Sequence, residues 1–120
     1  HLAAALIECG RLEDGLPLLV RNWRKYDEAL IRKQLFRSTK VSHDVQINLQ
    51  RIYWNHRSNS CGDILEYVYK HGECAYCRWG IVDDMWKNRV LKDSILEECL
   101  YDSYDETRKL ARRIKNFIKR

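Results

Sequence analysis

A chain of 120 residues with one proline and five glycines carries too few breakers for an all-β fold, and 45% hydrophobic with 32% charged residues excludes disorder. No apolar run approaches the roughly 20 residues that span a bilayer, so membrane partners are not expected. The formal net charge of +5 fits an acidic protein partner and nucleic acid equally well.

Residues 1–10, HLAAALIECG, are apolar but short, without a basic flank or a cleavage site, and do not make a signal peptide. They read as a helix over Leu2 to Cys9 stopped by Gly10, entered midway, so the chain is expected to be a fragment of a longer protein. Leu12, Leu16, Leu19, Val20 and Trp23 recur at helical spacing, and Pro17 within them predicts a start or a bend. Asp27 is the expected N-cap of a third helix through Leu30, Ile31 and Leu35. Ser42 opens a fourth, whose apolar face is Val45, Leu49, Ile52 and Tyr53. After a polar loop at 55–60, Ser60 and Asp63 stand at capping-box spacing before Ile64, Leu65, Val68 and Tyr69, with a stop at His71 and Gly72. The next helix spans Cys74 to Lys87. Ser94 with Glu97 predicts the cap of a short helix through Leu96, Cys99 and Leu100. Ser103 with Glu106 predicts the cap of a last one burying Thr107, Leu110, Ala111, Ile114 and Ile118. About eight helices with short connections imply one all-α domain over residues 1–120, built from stacked antiparallel pairs.

Weak self-similarity runs through these elements. Cys77-Arg78 with Ile81 matches Thr107-Arg108 with Ala111 at an offset of 30, and Ile31-Arg32 with Leu35 has the same shape. With the acidic turn Asp102 to Asp105 ahead of Thr107, the pattern resembles a HEAT repeat, best over Glu73 to Lys119. That resemblance implies an α-solenoid whose arginine braces the turn between repeats, and a scaffold that binds proteins. The segment from Gly10 to Leu19 is equally similar to a tetratricopeptide-type helix pair.

Five cysteines, an odd number without a secretory signal, point to reduced thiols and a cytoplasmic location. His71, Cys74 and Cys77, with Cys99 further on and Cys61 upstream, have the spacing of tetrahedral zinc ligands. Cys74 and Cys77 are also i and i+3 on a helix, forming with Ile81 and Met85 an ordinary buried stripe, or a redox pair at a helix N-terminus. The buried stripe, with no cofactor, is expected; zinc on His71, Cys74, Cys77 and Cys99 is the alternative.

The last helix aligns Arg108, Arg112, Lys115 and Lys119, with Lys109 and Arg113 beside them. The row is either a solvated face matched to the helix dipole or a docking stripe for carboxylates or phosphates. Trp79, Val82 and Trp86 leave their helix on a different side from Cys77, Ile81 and Met85, so that side is sandwiched in the stack or offered to a partner. Catalysis finds little support. There is no phosphate loop or nucleophile elbow, and the side chains of Asp83 and Asp84, like those of Glu97 and Glu98, diverge by about 100° on a helix. His43 and His56 read as isolated polar residues. The expected function is therefore a non-catalytic interaction module binding through Trp79, Trp86 and the basic row. Nucleic-acid binding and a small zinc or thiol-redox module are the alternatives.

Overall fold

The computed structural model describes residues 2–119, and among them eight helices form: α1 (Leu2–Glu8), α2 (Leu12–Leu19), α3 (Asp27–Leu35), α4 (His43–Asn55), α5 (Gly62–His71), α6 (Ala75–Lys87), α7 (Asp93–Cys99) and α8 (Asp105–Ile118). No strand forms among the described residues; a single parallel bridge joins Val41 to Gly72. The expected all-α architecture of about eight helices is what the chain adopts. Each apolar stripe turns inward, and one continuous core runs from Ala3 and Ile7 through Leu49, Ile64 and Ile81 to Ile114. Ile118, expected in that core, lies past its end and is 56% exposed.

The helices stack in two rows. The even row places α2 against α4, α4 against α6 and α6 against α8, while α1, α3 and α5 follow one another in the odd row. The result is elongated, 45 × 25 × 19 Å. Polar contacts report the step of the stack. Ser42 bonds Glu13 at an offset of 29, Arg32 bonds Asp63 at 31, Ser58 bonds Asn88 at 30 and Tyr69 bonds Glu98 at 29. Arg32 grips Asp63 with two bonds, of 2.8 and 3.1 Å. Arg78 grips Asp102 in the turn before α8 in the same bidentate way, at 2.7 and 3.1 Å. Planar two-point pairs of this kind fix the angle between successive layers as well as joining them.

Helix ends follow two rules. The stop expected at Gly10 is a Schellman turn: Gly10 takes φ +82°, its N–H donates to Ile7 O (2.9 Å), and the Arg11 N–H donates to Leu6 O (2.9 Å). The end of α6 repeats this turn without glycine. Arg89 sits at φ 61°, its N–H donates to Trp86 O (3.1 Å), and the Val90 N–H donates to Met85 O (2.9 Å). A left-handed conformation disfavours any residue with a Cβ. Arg89→Gly is therefore expected to raise stability by about 0.5–1 kcal/mol, read as a higher urea midpoint at unchanged slope.

The N-termini depart more from expectation. Ser42 does cap α4, accepting the Val45 N–H at 3.3 Å. Ser60, Ser94 and Ser103 do not cap; Cys61, Lys92 and Tyr104 precede α5, α7 and α8 without a side-chain cap bond. Ser60 instead donates to the buried Glu28 carboxylate, an ionic acceptor that outbids a backbone N–H. Asp27 is the first residue of α3 rather than its cap, buried and accepting the Arg24 N–H at 3.2 Å. Helix α2 begins at Leu12 and runs through Pro17 to Leu19, so the proline neither starts it nor stops it at once.

Candidate functional site

The segment joining α5 to α6 is held unusually firmly. The Val41 N–H donates to His71 O (3.0 Å) and the Glu73 N–H donates to Val41 O (3.3 Å), stitching the chain before α4 to the same place one layer on. The Gln46 amide clamps the backbone of Cys74, accepting its N–H at 3.1 Å and donating to its carbonyl at 3.4 Å. Gly72 permits this approach. A Cβ there would stand 2.1 Å from Gln46 Nε2 and 2.7 Å from Val68 O. The clamp fixes Cys74 as the N-cap of α6, its sulfur accepting the Cys77 N–H at 3.3 Å.

His43, the first residue of α4, shares the helix face of Gln46 and turns Nδ1 onto Cys77 Sγ, 3.0 Å away. The ligand atoms of His43, Cys74 and Cys77 all lie within 4.8 Å of one another. Burial follows function-like gradations: His43 is exposed, Cys74 half-buried and Cys77 buried. The N–H of Cys77, then the Cys77 side chain and His43, lower the Cys74 thiol below the usual range. Burial first, and the neighbouring Cys74 second, raise Cys77. The pair is thus split into an accessible, readily ionised sulfur and a covered, protonated one.

The other members of the alternative zinc set, His71 and Cys99, lie elsewhere. His71 packs its ring on Tyr67 at 4.1 Å between centroids, and Cys99 is buried with its sulfur toward the Tyr69 hydroxyl (3.9 Å). Neither belongs to the group, and His43 stands where His71 was expected. Burial pushes the Cys61 thiol up to about 12 and the Cys99 thiol up to about 11, which leaves both inert. His43 escaped the sequence because it lies 34 residues from Cys77, one step of the stack away, and not within a local motif. The 30-residue self-similarity is the signal that would have paired them.

A second candidate is the outer surface of α4 and α6. Trp54 (51% exposed) and Tyr76 (61% exposed) flank a groove lined by Ile47, Gln50, Arg51 and Trp79. Trp79 is half-buried, and no acceptor among the described residues meets its indole N–H. Lys87 Nζ stands 3.2 Å over the Trp54 ring and pairs with Asp83 at 3.0 Å. Trp86 is half-buried too, but its ring meets the exposed Phe117 of α8 edge-on at 5.7 Å. The two tryptophans expected to act together therefore line separate cavities, Trp79 with Trp54 and Tyr76, and Trp86 with Arg57, Arg89 and Phe117.

The basic row of α8 is partly consumed inside the molecule. Arg108 donates to Asp102 O and to Asp105, and Lys115 pairs with Glu97. Arg112 and Lys119 are exposed and make no ion pair with the described residues. His56 is also less isolated than expected, stacking on Trp23 and bonding Val20 O at 2.7 Å.

No protein-family model, curated protein or solved structure matches this chain. No helix among the described residues is long and apolar enough to cross a membrane.

Proposed function

We propose that this chain is a non-catalytic helical-repeat interaction module that docks an acidic protein segment on the α4–α6 face. The observation carrying this reading is the exposed aromatic groove with its unbalanced charge. Around Trp54, Tyr76 and Trp79 stand Arg51 and Lys87, and the carboxylate of Asp83 is already paired with Lys87. Arg51 is exposed and has no ion pair among the described residues. Aromatic and arginine side chains gathered at one surface supply most of the binding energy at protein interfaces. Two-row stacking with a step of 28–31 residues supports the α-solenoid class. That step is shorter than the about 40–47 residues of HEAT repeats, so the proposal extends to the class and not to that family.

Nucleic-acid binding through α8 is the second reading, favoured by Arg112 and Lys119. It is weakened because Arg108 and Lys115 of the same row already answer to Asp105 and Glu97.

A displayed library of random 12-residue peptides tests the proposal. Enriched peptides should pair an apolar or aromatic anchor with flanking Asp or Glu. Arg51→Glu and Trp54→Ala, both at exposed positions, should each weaken the best peptide about tenfold or more while leaving the thermal melt unchanged. No enrichment, together with binding of a single-stranded oligonucleotide that falls steeply with log salt and is lost in Arg112→Glu/Lys119→Glu, would replace this reading with the second.

A further inference from the structure

We propose that His43, Cys74 and Cys77 form a three-ligand site for a zinc-class cation, with a fourth coordination position open to solvent. The donor set is one imidazole nitrogen and two sulfurs. Sulfur with nitrogen selects zinc and similarly soft ions over magnesium and calcium, which take oxygen.

The geometry is close to what zinc needs. With bonds of about 2.3 Å to sulfur and about 2.0 Å to nitrogen, tetrahedral coordination places ligand atoms about 3.5–3.8 Å apart. The three atoms here lie within 4.8 Å of one another, with His43 Nδ1 and Cys77 Sγ at 3.0 Å. Rotamer adjustments of under about 1 Å would admit the ion. Cys74 and Cys77 share the first turn of α6, which is the spacing that lets one turn present two ligands. His43 comes from α4, so the ion would bridge two neighbouring helices of the even row.

The support around the ligands is also of the kind metal sites carry. Gln46 holds both polar groups of the Cys74 backbone, Gly72 makes room for Gln46, and the Val41 bridge anchors the segment between His71 and Glu73. The exposure of His43 and the half-burial of Cys74 give the ion a path in. No fourth His, Cys, Asp or Glu joins the group among the described residues, so water completes the tetrahedron. Binding is balanced by the loss of two protons to solvent, one from each thiol. Neutral His43 ligates through Nδ1 and keeps its proton on Nε2. None of this depends on the peptide-docking reading, and the test below contains no peptide.

The test titrates cobalt(II), then zinc(II) against a chromogenic chelator, into the reduced, metal-free 120-residue chain. The expected result is one equivalent of cobalt with a thiolate-to-cobalt charge-transfer band, displaced by zinc. His43→Ala and Cys74→Ser should each weaken zinc binding about 100-fold or more, and Gln46→Ala about 10-fold. His71→Ala should change nothing, and circular dichroism of each variant confirms that it is folded. His43→Ala removes an exposed side chain, so it keeps the test decisive if a cysteine variant does not fold. Absence of the charge-transfer band in fully reduced protein would overturn the proposal. So would wild-type affinity in folded His43→Ala, or an equal loss in His71→Ala. A Cys74–Cys77 disulfide that forms under mild oxidation, with no metal bound after reduction, would assign the pair to redox chemistry instead.

Discussion

Replacing Glu28 by alanine is expected to cost about 3–5 kcal/mol of folding stability, a large part of what a domain of this size possesses. Glu28 is 3% exposed and receives three hydroxyl donors. Tyr53 donates to one carboxylate oxygen at 2.9 Å, Ser58 to the same oxygen at 2.9 Å, and Ser60 to the other at 2.8 Å. Arg32 stands 3.8 Å away and supplies the opposite charge. Removing the carboxylate leaves the fully buried Tyr53 hydroxyl and the buried Ser58 without their acceptor, and the unmet desolvation of those donors makes up most of the loss. The damage would spread, because the Ser58 N–H also donates to Asn88 Oδ1 (2.7 Å) and Asn88 in turn donates to Tyr53 O (3.1 Å). Helices α3 and α4 and the segments that follow α4 and α6 meet in this network. Urea unfolding of Glu28→Ala and Tyr53→Phe measures the effect. Tyr53→Phe, which removes one donor and keeps the acceptor, should cost only about 1–1.5 kcal/mol. A loss below about 1 kcal/mol in Glu28→Ala would mean that the network contributes no net stability.

Asp84→Asn is expected to act in the opposite direction. Asp84 is fully buried in α6, and no donor among the described residues reaches either carboxylate oxygen. Burial first, then the neighbouring Asp83, push its carboxyl up to about 8, while Lys87 opposes them. The folded state therefore holds a proton that the unfolded chain, with an ordinary value near 3.8, releases. Between those two values the folded state binds more protons than the unfolded one. Stability from this group accordingly falls as pH rises from about 4 to about 8 and is flat outside that window. The full swing is on the order of 6 kcal/mol. Asparagine carries no proton to lose, so the variant should gain on wild type steadily across the window and be the more stable protein at pH 8. The difference between the two unfolding free energies, followed from pH 4 to 9, isolates this carboxyl from all others. A difference independent of pH would show that Asp84 ionises freely in the folded protein. Its half-buried neighbour behaves differently for a geometric reason: adjacent helical positions diverge, and Asp83 reaches Lys87 at 3.0 Å while Asp84 points inward.

These two carboxylates bear on how the stack is used. Glu28 ties the layers at one end of α4, and the Gln46 clamp ties them at the other, so the α4–α6 face between them is presented on a rigid backing. A surface held in place before binding loses less entropy on binding. Trp54, Trp79 and Arg51 stand on that surface, whereas Arg108 and Lys115 of the α8 basic row are spent on internal ion pairs.

The sequence by itself determined the elements. Helical periodicity is a local property, so the apolar stripes Leu12/Leu16/Leu19, Val45/Leu49/Ile52 and Leu110/Ala111/Ile114 were legible, as were the Gly10 stop, the Ser42 cap and the count of helices. Even the 30-residue echo of the stack was visible in Cys77-Arg78 and Thr107-Arg108. Only the tertiary structure decided the polar partners. Ser60 has the spacing of a cap and serves Glu28; His71 has the spacing of a ligand and packs on Tyr67; His43 has no local motif and meets Cys77. In each case the deciding partner lies a layer away or on another side of the helix, and its distance depends on how two helices pack. A buried carboxylate or a nearby sulfur then outcompetes the local backbone group that the spacing alone would favour.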